Sequence, residues 1–306
     1  MTPRRPRRLS VGDLVGVCAP AGPVDAEALG RGVRQLEALG FAVRVPDGLL
    51  ERSGFTAGSP ERRARELHEL YADEAVAAIV CARGGAGAGR LLSRLDTELI
   101  ARHHKALVGY SDITYLHLLL GRLGLLSFHG PMVARELADG DFDRGSFLHA
   151  LTGEGAPYAS PDGELVPLRP GRAEGRLRGG CLSILAAAAG TRWALSAEAE
   201  GSLLLIEDVD EPPYRLDRML LQLRESGAFL GVRGVVFGQM RGCEPGDGAG
   251  LTETLLAAFE GLDLPIAFGC RAGHASGAHV TLPLGARARL ECGETARLQV
   301  LESGTL

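Results

Sequence analysis

Two spacings of hydrophobic positions alternate along the first 130 residues. Short, continuously apolar runs recur at "LVGVCAP" (14–20), "FAVRVP" (41–46), "AVAAIVCAR" (75–83) and "KALVGY" (105–110). Between them the apolar residues fall at helical spacing. Leu29, Val33, Leu36 and Leu39 mark one helix over 24–39, closed by Gly40. Ser59-Pro60-Glu61 opens a second with a cap, a first-turn proline and an early acid, and a third is expected near 89–102. Repeated strand–helix units with apolar strands predict a parallel sheet covered on both faces. In such sheets ligands bind beyond the carboxyl ends of the strands. A glycine-rich loop (84–89) and Ser111 both fall at such ends.

The pattern changes between 139 and 174, where "DGDFDRGSF", "TGEGAPYASPDGE" and "PLRPGRAEG" are rich in Gly, Pro and acid and read as a linker with weak structure of its own. A second unit begins near 175. "LSILAAAAG" predicts a helix ending at Gly190, "SLLLIE" (202–207) a buried strand, and Leu216, Met219, Leu220 and Leu223 an amphipathic helix stopped by Gly227. The tail from "HVTLPLGARARL" alternates, with turn residues at Gly285 and Gly293, and predicts antiparallel strands. The expected organisation is a nucleophile-bearing domain at 1–138, a linker at 139–174 and a C-terminal domain at 175–306.

The 306-residue chain is long enough for two ordinary domains. Its net charge of −5 leaves no basic surplus to neutralise phosphates, which argues against nucleic acid as a partner. The basic opening "MTPRRPRRLS" is followed by no apolar stretch of the kind a secretory signal needs, and no run reaches the roughly 18 apolar residues of a membrane span. Six cysteines, at 18, 81, 181, 243, 270 and 292, show no C-x-x-C spacing; they fit reduced cytoplasmic thiols better than a disulfide framework or a zinc site.

Four segments carry candidate chemistry. In "CARGGAGAGRLL" (81–92) the dinucleotide spacing G-x-G-x-x-G fails at Arg90 and again at Leu92, and no Gly-Lys-Ser/Thr follows. The loop then either presents bare amides to a ligand or oxyanion, or is a tight turn needing positive φ. Ser111, between an apolar strand and a helix, is either an N-cap or a nucleophile on a sharp strand-to-helix turn. The single lysine, Lys105, begins the strand that Ser111 ends, roughly 20 Å away, so it cannot serve as the base. Among the histidines, His103 and His104 share that far end, His68 and His149 sit in polar surroundings, and His117 falls in the next helix at a surface or partly buried position. His129, in "SFHGPM", either lines a site or is structural. His274, in "GCRAGHASGAH", sits among small residues that would free it to enter a cleft, or caps a turn. Glu207 ends an apolar strand, where an ionised side chain is costly unless paired. Asp208, Asp210 and Glu211 follow it, but the calcium-loop pattern is missing. The chain order Ser111, Glu207, His274 matches a serine–acid–histidine order known on α/β folds.

Taken together, "GDLVGVCAPAGPVD", "CARGGAGAGRLLSRLD", "LVGYSDITYLHL", "SFHGPM", "GRLRGGCLSIL", "LLLIEDVDEPPYRLDRMLLQL" and "AGHASGAHVTLPLGARARL" resemble, in order, the LD-carboxypeptidase family of serine peptidases, which spans muropeptide-recycling and microcin-immunity enzymes. The resemblance implies an α/β fold: a flavodoxin-like, parallel-sheet N-terminal domain and a smaller C-terminal α/β domain with antiparallel strands. It further implies Ser111 as nucleophile, His274 as base, Glu207 as its orienting acid, and the backbone amides of Gly85 and Asp112 as oxyanion hole. A cytoplasmic homodimer without metal or organic cofactor is implied as well. The implied substrate is a small peptide, a muropeptide tetrapeptide cut between meso-diaminopimelate and D-alanine. A microcin C-like antibiotic is the alternative substrate, and a non-catalytic anion-binding module the alternative of another class. Two positions depart from the family pattern: Ala86 where an aromatic usually follows Gly-Gly, and Cys181 where Gly-Gly-Asn-Leu is usual. Neither is one of the three proposed catalytic positions.

Overall fold

A computed structural model describes residues 2–195, 201–244 and 250–306. The apolar runs become strands as expected: β1 (Leu14–Cys18), β2 (Ala42–Arg44), β3 (Val76–Cys81), β4 (Ala106–Gly109) and β5 (Ser127–His129). Helix α1 (Ala26–Ala38) starts where the Asp25 side chain accepts from the Ala28 amide, and α2 (Pro60–Ala72) where Ser59 accepts from the Arg62 amide. The helix expected near 89–102 is instead two pieces, a short 3-10 turn at Ala88–Arg90 and α3 (Thr97–Arg102). Asp96 caps α3 by accepting from Glu98 and Leu99, so the chain breaks where a better N-cap is available. Helix α4 (Thr114–Arg122) follows Ser111 directly through one 3-10 turn.

The segment 139–174, expected to be weakly structured, carries α5 (Arg144–Thr152), β6 (Val166–Arg169) and the start of β7 (Gly171–Cys181). Phe147 and Leu151 of α5 are fully buried, which compensates for the polar composition around them. β7 reads GRAEGRLRGGC and has no apolar alternation; its order comes from neighbours on both sides. After it come α6 (Leu182–Ala188), β8 (Ser202–Glu207), α7 (Pro213–Glu225), β9 (Gly234–Gly238), α8 (Leu251–Ala257), β10 (Ile266–Cys270), β11 (Leu282–Leu284), β12 (Arg287–Cys292) and β13 (Ala296–Val300).

The first sheet has the order β11-β5-β4-β3-β1-β2. Its five N-terminal strands are parallel in the flavodoxin-like order 2-1-3-4-5, with the order reversing at β1 and β3. The sixth strand, β11, arrives from the far C-terminal part of the chain and pairs antiparallel with β5, Leu282 opposite His129. The second sheet has the order β13-β12-β7-β8-β9-β10-β6; its centre β7–β10 is parallel and its outer pairs are antiparallel.

Helix α4 joins the two sheets. Its Thr114 Oγ1 accepts from the Cys181 amide at 3.0 Å, and a Cβ on Gly180 would come within 2.5 Å of that oxygen. Only glycine at 180, with φ +140°, permits this approach. Among the described residues no helix is long and apolar enough to cross a membrane.

Candidate active site

The site forms where three strand ends of the first sheet meet one strand end and one loop of the second part of the chain. β4 ends at Gly109, Tyr110 is extended, and Ser111 then turns to φ +63° before α4 begins. For a non-glycine residue this left-handed conformation costs on the order of 1–3 kcal/mol, which the surrounding structure must support. A side chain at 84 would strike it: a Cβ there would lie 2.7 Å from Ser111 Cβ and 2.8 Å from its Oγ. Gly84 is fixed in turn by its carbonyl, which accepts from the Gly22 amide at 2.9 Å. Gly85, at φ +113°, packs against Gly22 in the same way.

Glu207 closes β8 and is 1% exposed. Two glycines make room for it: a Cβ on Gly238 would sit 2.7 Å from Glu207 Cβ, and one on Gly273 2.1 Å from Glu207 Cδ. Its Oε2 accepts twice from His274, from the backbone amide at 2.9 Å and from Nδ1 at 2.8 Å. Its Oε1 lies 3.5 Å from His129 Nε2. Burial alone would raise the Glu207 carboxyl, but the His129 and His274 groups outweigh it and hold the pKa well below the usual range. His274 responds in the opposite sense. Burial works to lower its pKa, and the bond to Glu207 with its charge raises it above the ordinary value. With Nδ1 donating to Glu207, Nε2 is the free ring nitrogen.

The loop bearing His274 runs from β10 back to the first sheet. Its ends are tied by the Val280 amide donating to Arg271 O at 2.8 Å, and the Gly273 amide donates to His279 Nε2 at 2.6 Å. Tyr110 forms the wall behind it. The ring meets His274 and His279 edge-on, with centroids 5.0 and 4.8 Å away, and its hydroxyl donates to Glu136 Oε1 at 2.7 Å. The resulting cleft holds about 180 Å³, and Ser111, Gly85 and His274 share its lining with Arg83, Arg135, Tyr110 and Met132.

Ser111, Glu207 and His274 are thus brought together with Gly85. Asp112 follows the serine and turns its carboxylate inward, where Oδ2 accepts from the Ala88 amide at 2.7 Å. His117 is not at the surface: at 4% exposure it bonds Ser127 Oγ and Gly109 O, both at 2.9 Å, so its role is to brace β4 and β5. His149 likewise is buried, against Glu154 O. His103 and His104 precede β4, at the end opposite Ser111, and His104 bonds Leu126 O. Lys105 donates to Asp73 O there as well. Tyr110, Glu136, His279 and Arg135 were not singled out in the sequence; only the adjacency of Tyr110 to the serine hinted at any of them. Among the described residues no group of His, Cys, Asp and Glu is arranged to hold a metal ion.

A strand-end serine in a left-handed turn shares a cleft with a histidine anchored on a buried carboxylate, an arrangement suited to serine-hydrolase chemistry on an α/β fold. The chain belongs to the LD-carboxypeptidase family: residues 15–130 match the LD-carboxypeptidase N-terminal domain and 174–290 the C-terminal domain. It is therefore a serine-type carboxypeptidase. A probable murein peptide carboxypeptidase of Bacillus subtilis is 36% identical over 307 residues, covering 98% of this chain and 95% of that protein. The crystal structure of a muramoyltetrapeptide carboxypeptidase from Oxalobacter formigenes is 30% identical, with a TM-score of 0.82 over 95% of this chain and 99% of that one. A microcin C7 self-immunity protein, solved as a mutant with adenosine monophosphate, superposes with a TM-score of 0.87 over 98% and 99%; at 24% identity that likeness speaks to the fold alone.

Proposed function

We propose that the enzyme removes the terminal D-alanine from muropeptide tetrapeptides by cutting the bond that follows meso-diaminopimelate, through an acyl-enzyme on Ser111. The observation that carries the reading is the His274–Glu207 pair, bonded at 2.8 Å, in the cleft that Ser111 lines. Ser111 Oγ attacks the carbonyl carbon while His274 Nε2 takes its proton. The backbone amides of Gly85 and Asp112 hold the oxyanion that develops. As the C–N bond breaks, His274 passes the proton to the leaving amine of D-alanine. A water molecule, deprotonated by the same nitrogen, then splits the ester and restores Ser111. Glu207 keeps the ring in the productive tautomer and stabilises its positive form.

Arg83 and Arg135 give the cleft two cations beside the nucleophile, suited to the free carboxylate that a carboxypeptidase substrate must carry. The substrate class follows the names of the two relatives at 36% and 30% identity, whereas likeness to the immunity protein supports no substrate. With this reading go two domains, 1–138 supplying the nucleophile and 175–306 the acid and base, in a cytoplasmic homodimer. Six free, buried cysteines suit a reducing compartment. The test is release of D-alanine from L-Ala-D-Glu-meso-diaminopimelate-D-Ala. Ser111→Ala is expected to lose several orders of magnitude in kcat. A variant that kept wild-type turnover would refute the assignment, and turnover of an aminoacyl-nucleotide conjugate in place of the tetrapeptide would move the substrate to the microcin type.

A further inference from the structure

Behind the cleft, Arg63 of α2 is 1% exposed, an uncommon place for a guanidinium. Its Nη1 donates to two carbonyls: Pro20 O in the turn after β1, and Gly87 O, at 3.0 Å, in the loop after β3. A Cβ on Gly87 would lie 3.0 Å from that same nitrogen, so the glycine loop is pressed flat on the guanidinium. Nε and Nη2 have no hydrogen-bond partner among the described residues. A buried cation so incompletely bonded needs an opposing charge. Burial works against the Arg63 charge, and so do Arg62, Arg90 and Arg94; the Asp112 carboxylate, in the turn after β4, opposes them.

Arg63 therefore connects the two loops that follow β1 and β3, and Asp112 ties the turn after β4 to the second of them. The glycine loop is held at Gly84 by Gly22, at Gly87 by Arg63 and at Ala88 by Asp112. Gly85 lies inside that span and lines the cleft. We infer that Arg63 and the Asp112 carboxylate are positioning residues: bonded to the glycine loop at Gly87 and at Ala88, they set the Gly85 amide relative to Ser111 and so shape the oxyanion hole. The inference rests on the proposed roles of Ser111 and Gly85. Neither side chain touches substrate; both act through the loop backbone.

A brace of this kind affects the transition state more than substrate binding, because the oxyanion forms only as the bond is attacked. Arg63→Met keeps the volume and removes the charge and both bonds. A misplacement of about 1 Å in a catalytic group costs on the order of 100-fold. The variant is therefore expected to lose about 10- to 100-fold in kcat on the tetrapeptide, with KM changed by less than about threefold. Its rate of phosphonylation by a fluorophosphonate, whose phosphonyl oxygen occupies the same hole, should fall in parallel. Adding Asp112→Ala to Arg63→Met should cost less than it does in the wild type, since both residues hold one loop. Wild-type kcat in a cooperatively melting Arg63→Met protein, or a loss confined to KM, overturns the inference.

If Arg63→Met does not melt cooperatively, Asp112→Ala decides alone. It removes the carboxylate that accepts from the Ala88 amide. Lowered kcat at constant KM supports the brace, and unchanged kcat overturns it. The Ser111→Ala control separates the failures: activity surviving that change would sink the proposed site itself, whatever Arg63 does.

Discussion

Replacing Glu207 by Gln tests the acid of the site with little change of shape. The cavity around this side chain is tight, since Gly238 and Gly273 leave no space for even one added carbon against it. The amide must keep an oxygen at the Oε2 position, because two N–H groups of His274 point there at 2.8 and 2.9 Å. The tautomer of His274 is thereby preserved and the negative charge is lost. In the proposed reaction His274 becomes positive. At about 4 Å between charge centres and an effective dielectric near 20, the missing attraction is worth about 4 kcal/mol. That corresponds to a fall of about 1000-fold in kcat/KM. The assay is D-alanine release, measured across pH. The proposed mechanism needs neutral His274, so activity in the wild type should decline as pH falls through a His274 pKa raised above 6.5. In the variant the supporting charge is gone and burial acts unopposed, so this acid limb should move to lower pH even as the plateau drops. Activity within tenfold of wild type, or an acid limb that does not move, would refute the role given to the carboxylate.

Two further predictions follow from packing and burial. Gly273→Ala places a Cβ 2.1 Å from Glu207 Cδ at a residue with φ +80°, so it should separate Glu207 from His274; D-alanine release should fall by at least about 100-fold, and a variant with wild-type kcat would contradict the geometry. His117 is buried and His104 partly buried, and this burial lowers their pKa values to about 3 and about 4. The unfolded chain then binds more protons below pH 6.5, so stability should be full above pH 6.5 and decline as pH falls through 6.5 toward 4. Urea midpoints at pH 7 and pH 5 measure this, and a His117→Gln variant should show a shallower decline.

How far the site could be read from the sequence depended on how local its causes are. Ser111 stands at the junction of an apolar run and a helical run, and Glu207 is an acid closing an apolar strand, so both are visible in the chain. His274 is announced by the glycines around it. His117 was not legible in the same way: its helix offers polar and apolar neighbours alike, and only the carbonyl of Gly109 and the hydroxyl of Ser127 make burial tolerable. β7 was hidden for a related reason. Its glycines and arginines carry no strand period, and it is ordered by β8 and β12, which follow it by many residues.

The sequence by itself determined the alternating strand–helix order and the parallel character of the first sheet, and it offered Ser111, Glu207 and His274 as candidates. These follow from periodicity, turn residues and a few unusual placements of polar groups, all of them short-range. Tertiary structure alone decided that β11 crosses back to pair with β5 and carries the His274 loop to the serine. It also decided that Gly84, Gly238 and Gly273 are glycines because side chains of other elements fill the space beside them. And it placed Arg63, which reads as one of many surface arginines on a polar helix, at the buried junction of two loops. Such contacts join residues distant in the chain, and no local pattern encodes which distant backbone a side chain will meet.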